Sequence, residues 1–224
     1  MSSDDSRPIK ISLTEQQQVS GLLCSPSNAK VCFVLAHGAG AGMAHPFLST
    51  MAKGLADRGI ATLRYQFPYM EARTKRPDPP KLAQLAVRAA VTEASRLMPS
   101  VALIAGGKSF GGRMTSQAQV EAPLPGVRGL VFVGFPLHSP GRPSDERGRH
   151  LFDVKIPMLF LQGTRDDFAD LKLLEPLVKQ LGANATLKLF SDADHSFHVP
   201  VRSGRKDSEV MEELLDAVAK FSNQ

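Results

Sequence analysis

Two hydrophobic periods alternate along this chain. Lys30-Val-Cys-Phe-Val-Leu-Ala36 is a continuous apolar, β-branched run that stops at His37-Gly38. A strand apolar at every position belongs in a sheet covered on both faces. Ahead of it, Pro8–Leu13 and Val19–Leu23 read as two short strands of a hairpin. Pro46–Arg58 has helical spacing and ends at Gly59, a C-cap residue. Ile60–Tyr65 is the next strand. Pro77-Asp-Pro-Pro80 then breaks the chain before an Ala- and Leu-rich helix over Lys81–Met98, which Pro99 ends.

The alternation continues to the C-terminus. Val101–Ala105 predicts a strand, Gly106–Gly112 a turn, and the residues towards Val120 a helix. Leu130–Val133, Met158–Leu161 and Thr186–Phe190 predict further strands. Leu171, Leu174, Leu177, Val178 and Leu181 share one helical face, and Val210, Leu214, Val218 and Phe221 mark a last helix. Strands alternating with helices in this way predict an α/β fold, a mostly parallel, doubly wound sheet with helices on both faces. No repeat or linker divides it, so one domain over 1–224 is expected, with 1–7 as a flexible tail. The long Pro-, Gly- and Arg-rich stretch from Phe135 to about Lys155 is expected to be irregular. It is read as a small flap over a site, too short for a separate lid.

Composition narrows the possibilities. In 224 residues, 42% are hydrophobic and 22% charged, which excludes a disordered or collagen-like chain. Apolar runs are strand-sized, well short of the roughly 20 residues a membrane span needs. The polar opening Met1–Lys10 has no apolar core of a secretory leader. Cys24 and Cys32 form no CxxC or CxxH group, so no metal site or disulfide framework is implied, and a cytoplasmic location is expected. The formal charge of +5 is not gathered into one run or into a known nucleic-acid-binding spacing, so no nucleic-acid partner is expected.

Chemistry concentrates at Gly107-Lys108-Ser109-Phe110-Gly111, a G-x-S-x-G between a predicted strand and a predicted helix. Small residues on both sides of the serine permit the sharp, strained turn that exposes its hydroxyl above a sheet. A Walker A reading of Gly107-Lys-Ser109 fails because Ala102, inside a strand, stands where its first glycine belongs. Likewise Gly38-Ala-Gly-Ala-Gly42 lacks the last glycine of a dinucleotide fingerprint, since Met43 occupies that place. Beside Ser109, the amides of Phe110 and Ala39 are the expected oxyanion-hole donors, and His37 is expected to be structural.

Leu161-Gln-Gly-Thr-Arg-Asp-Asp167 follows a strong strand and offers an acid, Asp166 or, alternatively, Asp167. Asp192-Ala-Asp-His195 follows the next strand and offers a base, with His198 as its neighbour and competitor. The order Ser109, Asp166, His195 is that of α/β hydrolases and differs from the trypsin and subtilisin orders. Tyr65, Phe67, Tyr69, Phe110 and Arg113 are candidates to line the site. Arg142, Arg147 and Arg149 are candidates to favour a carboxylate-bearing substrate.

On these residues the chain resembles small α/β hydrolases of the dienelactone-hydrolase-like group. More narrowly it is similar to the family typified by testis-expressed protein 30 and a subunit of the NSL chromatin complex. The matching stretches are Leu35–Gly42, Gly106–Arg113, Phe135–His138, Leu161–Asp166 and Ala193–Phe197. Ser109 stands where dienelactone hydrolases use cysteine, which disfavours that particular reaction. The resemblance implies a serine hydrolase acting on a small acyl substrate, with no cofactor. A scaffold protein that keeps the fold without turnover is the alternative, and acyl transfer to an alcohol or thiol would use the same intermediate.

Overall fold

The computed structural model describes residues 6–223. The first five residues of the expected tail lie outside that range, and Arg7 already belongs to the first strand. The strands are β1 (Arg7–Ser12), β2 (Gln18–Cys24), β3 (Val31–Ala36), β4 (Ile60–Tyr65), β5 (Ala102–Lys108), β6 (Val127–Val133), β7 (Met158–Gly163) and β8 (Ala185–Phe190). Helices are α1 (Pro46–Ala56), α2 (Pro68–Glu71), α3 (Pro80–Leu97), α4 (Phe110–Glu121), α5 (Leu171–Leu181) and α6 (Asp207–Ser222). The short α2 was not anticipated, since four residues carry no periodicity.

All eight strands join one sheet in the order β1-β2-β4-β3-β5-β6-β7-β8. β1 and β2 form the expected hairpin, β2 runs antiparallel to β4, and β4 through β8 are parallel. From β3 the chain steps outward through α1 to β4, then returns through α3 to β5 on the other side of β3. Right-handed crossovers in opposite directions must use opposite faces of the sheet. Accordingly α1 and α6 pack on one face with Leu48, Met51, Leu55, Leu214 and Val218. Helices α3, α4 and α5 pack on the other with Val87, Val91, Met114 and Leu174. The reversal makes the C-terminal ends of β3 and β5 a topological switch point, where open α/β sheets leave a crevice. Among the described residues no helix is long and apolar enough to cross a membrane.

Two differences from the sequence reading bear on the site. Gly106 and Gly107 are strand residues, paired with Leu35 and Ala36 of β3, and the turn begins only after Lys108. A Cβ on Gly106 would lie 1.9 Å from the Val131 carbonyl oxygen of β6, and one on Gly107 2.3 Å from that of Ala36. These glycines therefore serve close packing of backbones rather than a loop. Second, the 135–155 stretch is no flap. Phe135, Leu137, Leu151 and Val154 are buried in the core, and Glu146–Asp153 forms a 3-10 helix against α4 and α5. Its apolar residues are spaced too irregularly to signal an element, yet enough of them are apolar to fasten it down.

Gly106→Ala tests the packing. It should lower unfolding stability in urea by at least about 2 kcal/mol, because the strands on either side cannot move apart without breaking ladder bonds. An unchanged midpoint would refute the close approach.

Candidate active site

Ser109 occupies the bend between β5 and α4 with φ 49° and ψ −114°, a region that costs a non-glycine residue about 1–3 kcal/mol. The bend is held from both sides. Ser109 N–H donates to the Val133 carbonyl and Arg113 N–H to the Ser109 carbonyl. On the next turn a Cβ at Gly111 would sit 2.6 Å from the His37 carbonyl oxygen. Helix α4 therefore starts hard against the end of β3, with Phe110 as its first residue.

His195 is carried by the loop after β8 and Asp166 by the loop after β7. His195 Nδ1 lies 2.7 Å from Asp166 Oδ2, and Nε2 lies 2.9 Å from Ser109 Oγ. A carboxylate only accepts, so Nδ1 carries the proton and Nε2 accepts from the serine hydroxyl. Asp166 is fully enclosed on its side chain, while His195 keeps some exposure. Its Oδ2 also accepts from Gln162 Nε2 at 2.5 Å, and its Oδ1 from the Phe168 amide at 2.8 Å. Three donors keep the buried carboxylate satisfied and aimed. The structure thus brings Ser109, His195 and Asp166 together. Asp167 is exposed and apart, and His198 pairs instead with Asp207 at 2.8 Å.

Several residues around this relay carried no earlier assignment. Gln162 bridges Asp166 to the Phe135 amide; one polar residue in an otherwise apolar strand was the signal available. Phe168 lies against the His195 ring, centroids 4.3 Å apart. Lys108, half-buried beside Ser109, donates from Nζ to the His195 carbonyl at 2.6 Å and stands over the Phe197 ring. Burial pushes its ammonium down to about 8, against the opposing pull of the Asp166 and Asp194 carboxylates.

The loop after β3 is fixed by the segment after β4. His37, buried, donates from Nδ1 to the Gly38 carbonyl and accepts at Nε2 from the Phe67 amide. Accepting at Nε2 needs a neutral ring, and burial pushes its pKa down to about 4. Tyr69 Oη accepts from the Gly40 amide and Gln66 Oε1 from the Met43 amide, each at 2.8 Å. Ala39 lies between these anchors, on the wall of a cavity of about 290 Å³ that also touches Ala41, His45, Phe47, Phe168, Ser109 and His195. None of Tyr65, Phe67, Tyr69, Phe110 or Arg113 lines that cavity, and neither does any residue of the 135–155 stretch. Tyr65 and Phe67 are buried beneath it as packing. Among groups of three or more His, Cys, Asp or Glu in the described residues, none has a metal-binding arrangement.

The neutral His37 has a consequence for stability. Its folded pKa lies below the unfolded value, so between about pH 6.5 and 4 the unfolded chain binds the extra proton. Stability is then full above pH 6.5 and falls as pH drops through this window, by roughly 3 kcal/mol in all. His37→Gln should flatten that slope by nearly one proton in urea titrations from pH 7 to 4.5; an unchanged slope would count against the buried neutral ring.

Solved structures share this arrangement of elements. A lid-less α/β serine hydrolase of Xanthomonas campestris superposes with a TM-score of 0.75 at 20% identity, covering 96% of this chain and 94% of that one. A dienelactone hydrolase of Anabaena variabilis gives 0.74 at 22%, with 95% of each chain covered. An α/β serine hydrolase homologue of Coxiella burnetii gives 0.75 at 20%, over 96% of this chain and 98% of that one. At such identities the likeness is one of fold. A family model for the alpha/beta hydrolase domain matches residues 29–223, which take in β3 to α6 and every residue of the relay. The chain belongs to the alpha/beta hydrolase domain family.

Proposed function

We propose that the protein is a serine hydrolase that cleaves a carboxylic ester through an acyl-Ser109 intermediate. The observation that carries this reading is the continuous relay from Asp166 Oδ2 to His195 to Ser109 Oγ, at 2.7 and 2.9 Å, beside the cavity. In the proposed sequence, His195 Nε2 takes the Ser109 proton as Oγ attacks the ester carbonyl carbon. Asp166 holds the ring tautomer and stabilises the imidazolium. The carbonyl oxygen becomes an oxyanion within reach of the Phe110 and Ala39 amides. Collapse breaks the bond to the leaving alkoxide, which receives the proton from His195 Nε2. Water then gives a proton to the same nitrogen and attacks the acyl-serine, releasing the acid and restoring Ser109.

Substrate size follows from the cavity. About 290 Å³, with Phe47, Leu48 and Phe168 among its walls, suits a short acyl group rather than a long lipid chain. The described fold folds its longest loop into the core instead of over the site, and the Xanthomonas campestris neighbour is likewise named as lacking a lid. The narrower likeness to the testis-expressed protein 30 family rests on the five sequence stretches and adds no substrate. Among the described residues neither cysteine forms a disulfide and both are buried, which fits a reducing compartment, and we place the reaction in the cytoplasm.

A fluorophosphonate probe read by intact mass tests the reading. Wild type should gain one adduct, and Ser109→Ala and His195→Ala should gain none. Folded wild type that stays unlabelled in excess probe would overturn the proposal. Asp166→Asn should keep the fold yet lower kcat on 4-nitrophenyl acetate by about 10⁴-fold, since the amide favours the wrong tautomer.

A further inference from the structure

The His195 imidazole has a hydrogen-bond partner at each nitrogen, and an aromatic ring lies against it. Phe168 stands there with ring centroids 4.3 Å apart and ring planes inclined by 32°. The same side chain is only half-buried and forms part of the wall of the Ser109 cavity. Core packing therefore does not account for where it sits.

Its place is set through the backbone. The Phe168 amide donates to Asp166 Oδ1 at 2.8 Å, and its carbonyl accepts from the His138 amide at 3.0 Å. His138, buried, ties down the next residues: Nε2 accepts from the Asp170 amide at 2.8 Å, and Nδ1 donates to the Ser139 carbonyl at 3.0 Å. Residues 168–170 are thus pinned between the relay carboxylate and the stretch that follows β6. On the other loop, Asp194 Oδ1 accepts from the Ser196 and His198 amides at 2.7 and 3.0 Å, closing the turn that carries His195. Two anchored loops hold the two rings together.

An aromatic face carries negative potential and attracts a cation more strongly than a neutral ring. In the resting relay the His195 ring is neutral, because Nε2 accepts from Ser109. The ring becomes positive only as the Oγ–carbon bond forms and the Ser109 proton passes to Nε2. A contact that strengthens with that charge lowers the barrier instead of tightening substrate binding. Asp166 meets the charge at the Nδ1 edge, and Phe168 meets it across the ring. Lys108 works against both, since its ammonium is held on the His195 carbonyl at 2.6 Å.

We propose that Phe168 is a catalytic residue whose ring face stabilises the His195 imidazolium during attack by Ser109 and again during attack by water. The catalytic role rests on the serine-hydrolase reading, since that reaction is what charges the ring. The stack itself does not.

The test changes the π face at nearly constant shape. The full chain is made with 4-fluoro-, 3,5-difluoro- or 3,4,5-trifluorophenylalanine at position 168 alone, beside Phe168→Leu, and each protein is checked for folding by circular dichroism. Each fluorine withdraws charge from the face. On 4-nitrophenyl acetate, kcat should fall stepwise along the fluorine series and about 3–30-fold in Phe168→Leu, with KM within about twofold of wild type. By NMR, the His195 ring protons should move downfield in Phe168→Leu as the ring current over them is lost. Equal kcat along the fluorine series overturns the proposal, because a ring that only packs is indifferent to its π charge. A rise in KM with kcat unchanged overturns it too, leaving Phe168 as a cavity wall. Unmoved His195 protons remove the stack and the proposal with it. Moved protons in a protein that turns over no ester and takes no fluorophosphonate leave the stack standing but refute the hydrolase reading, and the catalytic role falls with that reading. Because the fluorinated rings keep their volume, the kinetic test does not depend on Phe168→Leu folding.

Discussion

At three glycines around the end of β5 there is no room for a side chain. Gly106 lies against the Val131 carbonyl, Gly107 against that of Ala36, and Gly111 against that of His37. Because three successive backbones close up here, β5 can turn into α4 within one residue. Ser109 is that residue, held at a positive φ by bonds to its amide and its carbonyl. Everything the crevice contains is aligned to this bend. The loop after β3 meets α4 across the same contact, and the loops after β7 and β8 arrive from farther along the sheet to meet the serine hydroxyl.

Polar groups then fix what packing alone leaves loose. Asp166 lies in a site without solvent and would be costly there as a lone charge. Gln162, the Phe168 amide and His195 supply its donors, while Lys108 ties the His195 backbone from the opposite side. Across the crevice, His37, Gln66 and Tyr69 hold the loop that carries Ala39. Buried networks of this kind are favourable only when each member is satisfied, and then they select one arrangement of several loops.

The stretch between β6 and β7 shows how packing divides neighbouring residues of similar composition. Phe135, Leu137, Leu151 and Val154 sink into the core with His138 and leave the other intervening polar residues exposed or half-exposed. Arginines two or five positions apart consequently meet different surroundings: solvent at Arg142, a surface carboxylate at Arg149, the Ser139 hydroxyl at Arg147. Charge read along the chain treats these as one cluster.

The sequence by itself carried the α/β class, the alternation of strands and helices, the strand–serine–helix element, and the chain order of serine, acid and base. These are legible because they depend on local periodicity and on residue types at short spacing. It chose Asp166 with Asp167 as the alternative on turn position alone, and read Gly106-Gly107 as a turn. It also read 135–155 as a flap and missed Gln162, Lys108 and Phe168 altogether. Only the tertiary structure separates such cases, because each depends on which distant atoms come within a few ångströms. Asp166 is distinguished by His195, 29 positions away, and Gly107 by a carbonyl on β3. Arg113 is distinguished by a buried Nε with no hydrogen-bond partner among the described residues. Periodicity states that a residue is buried; contact across the sheet decides what it is buried against.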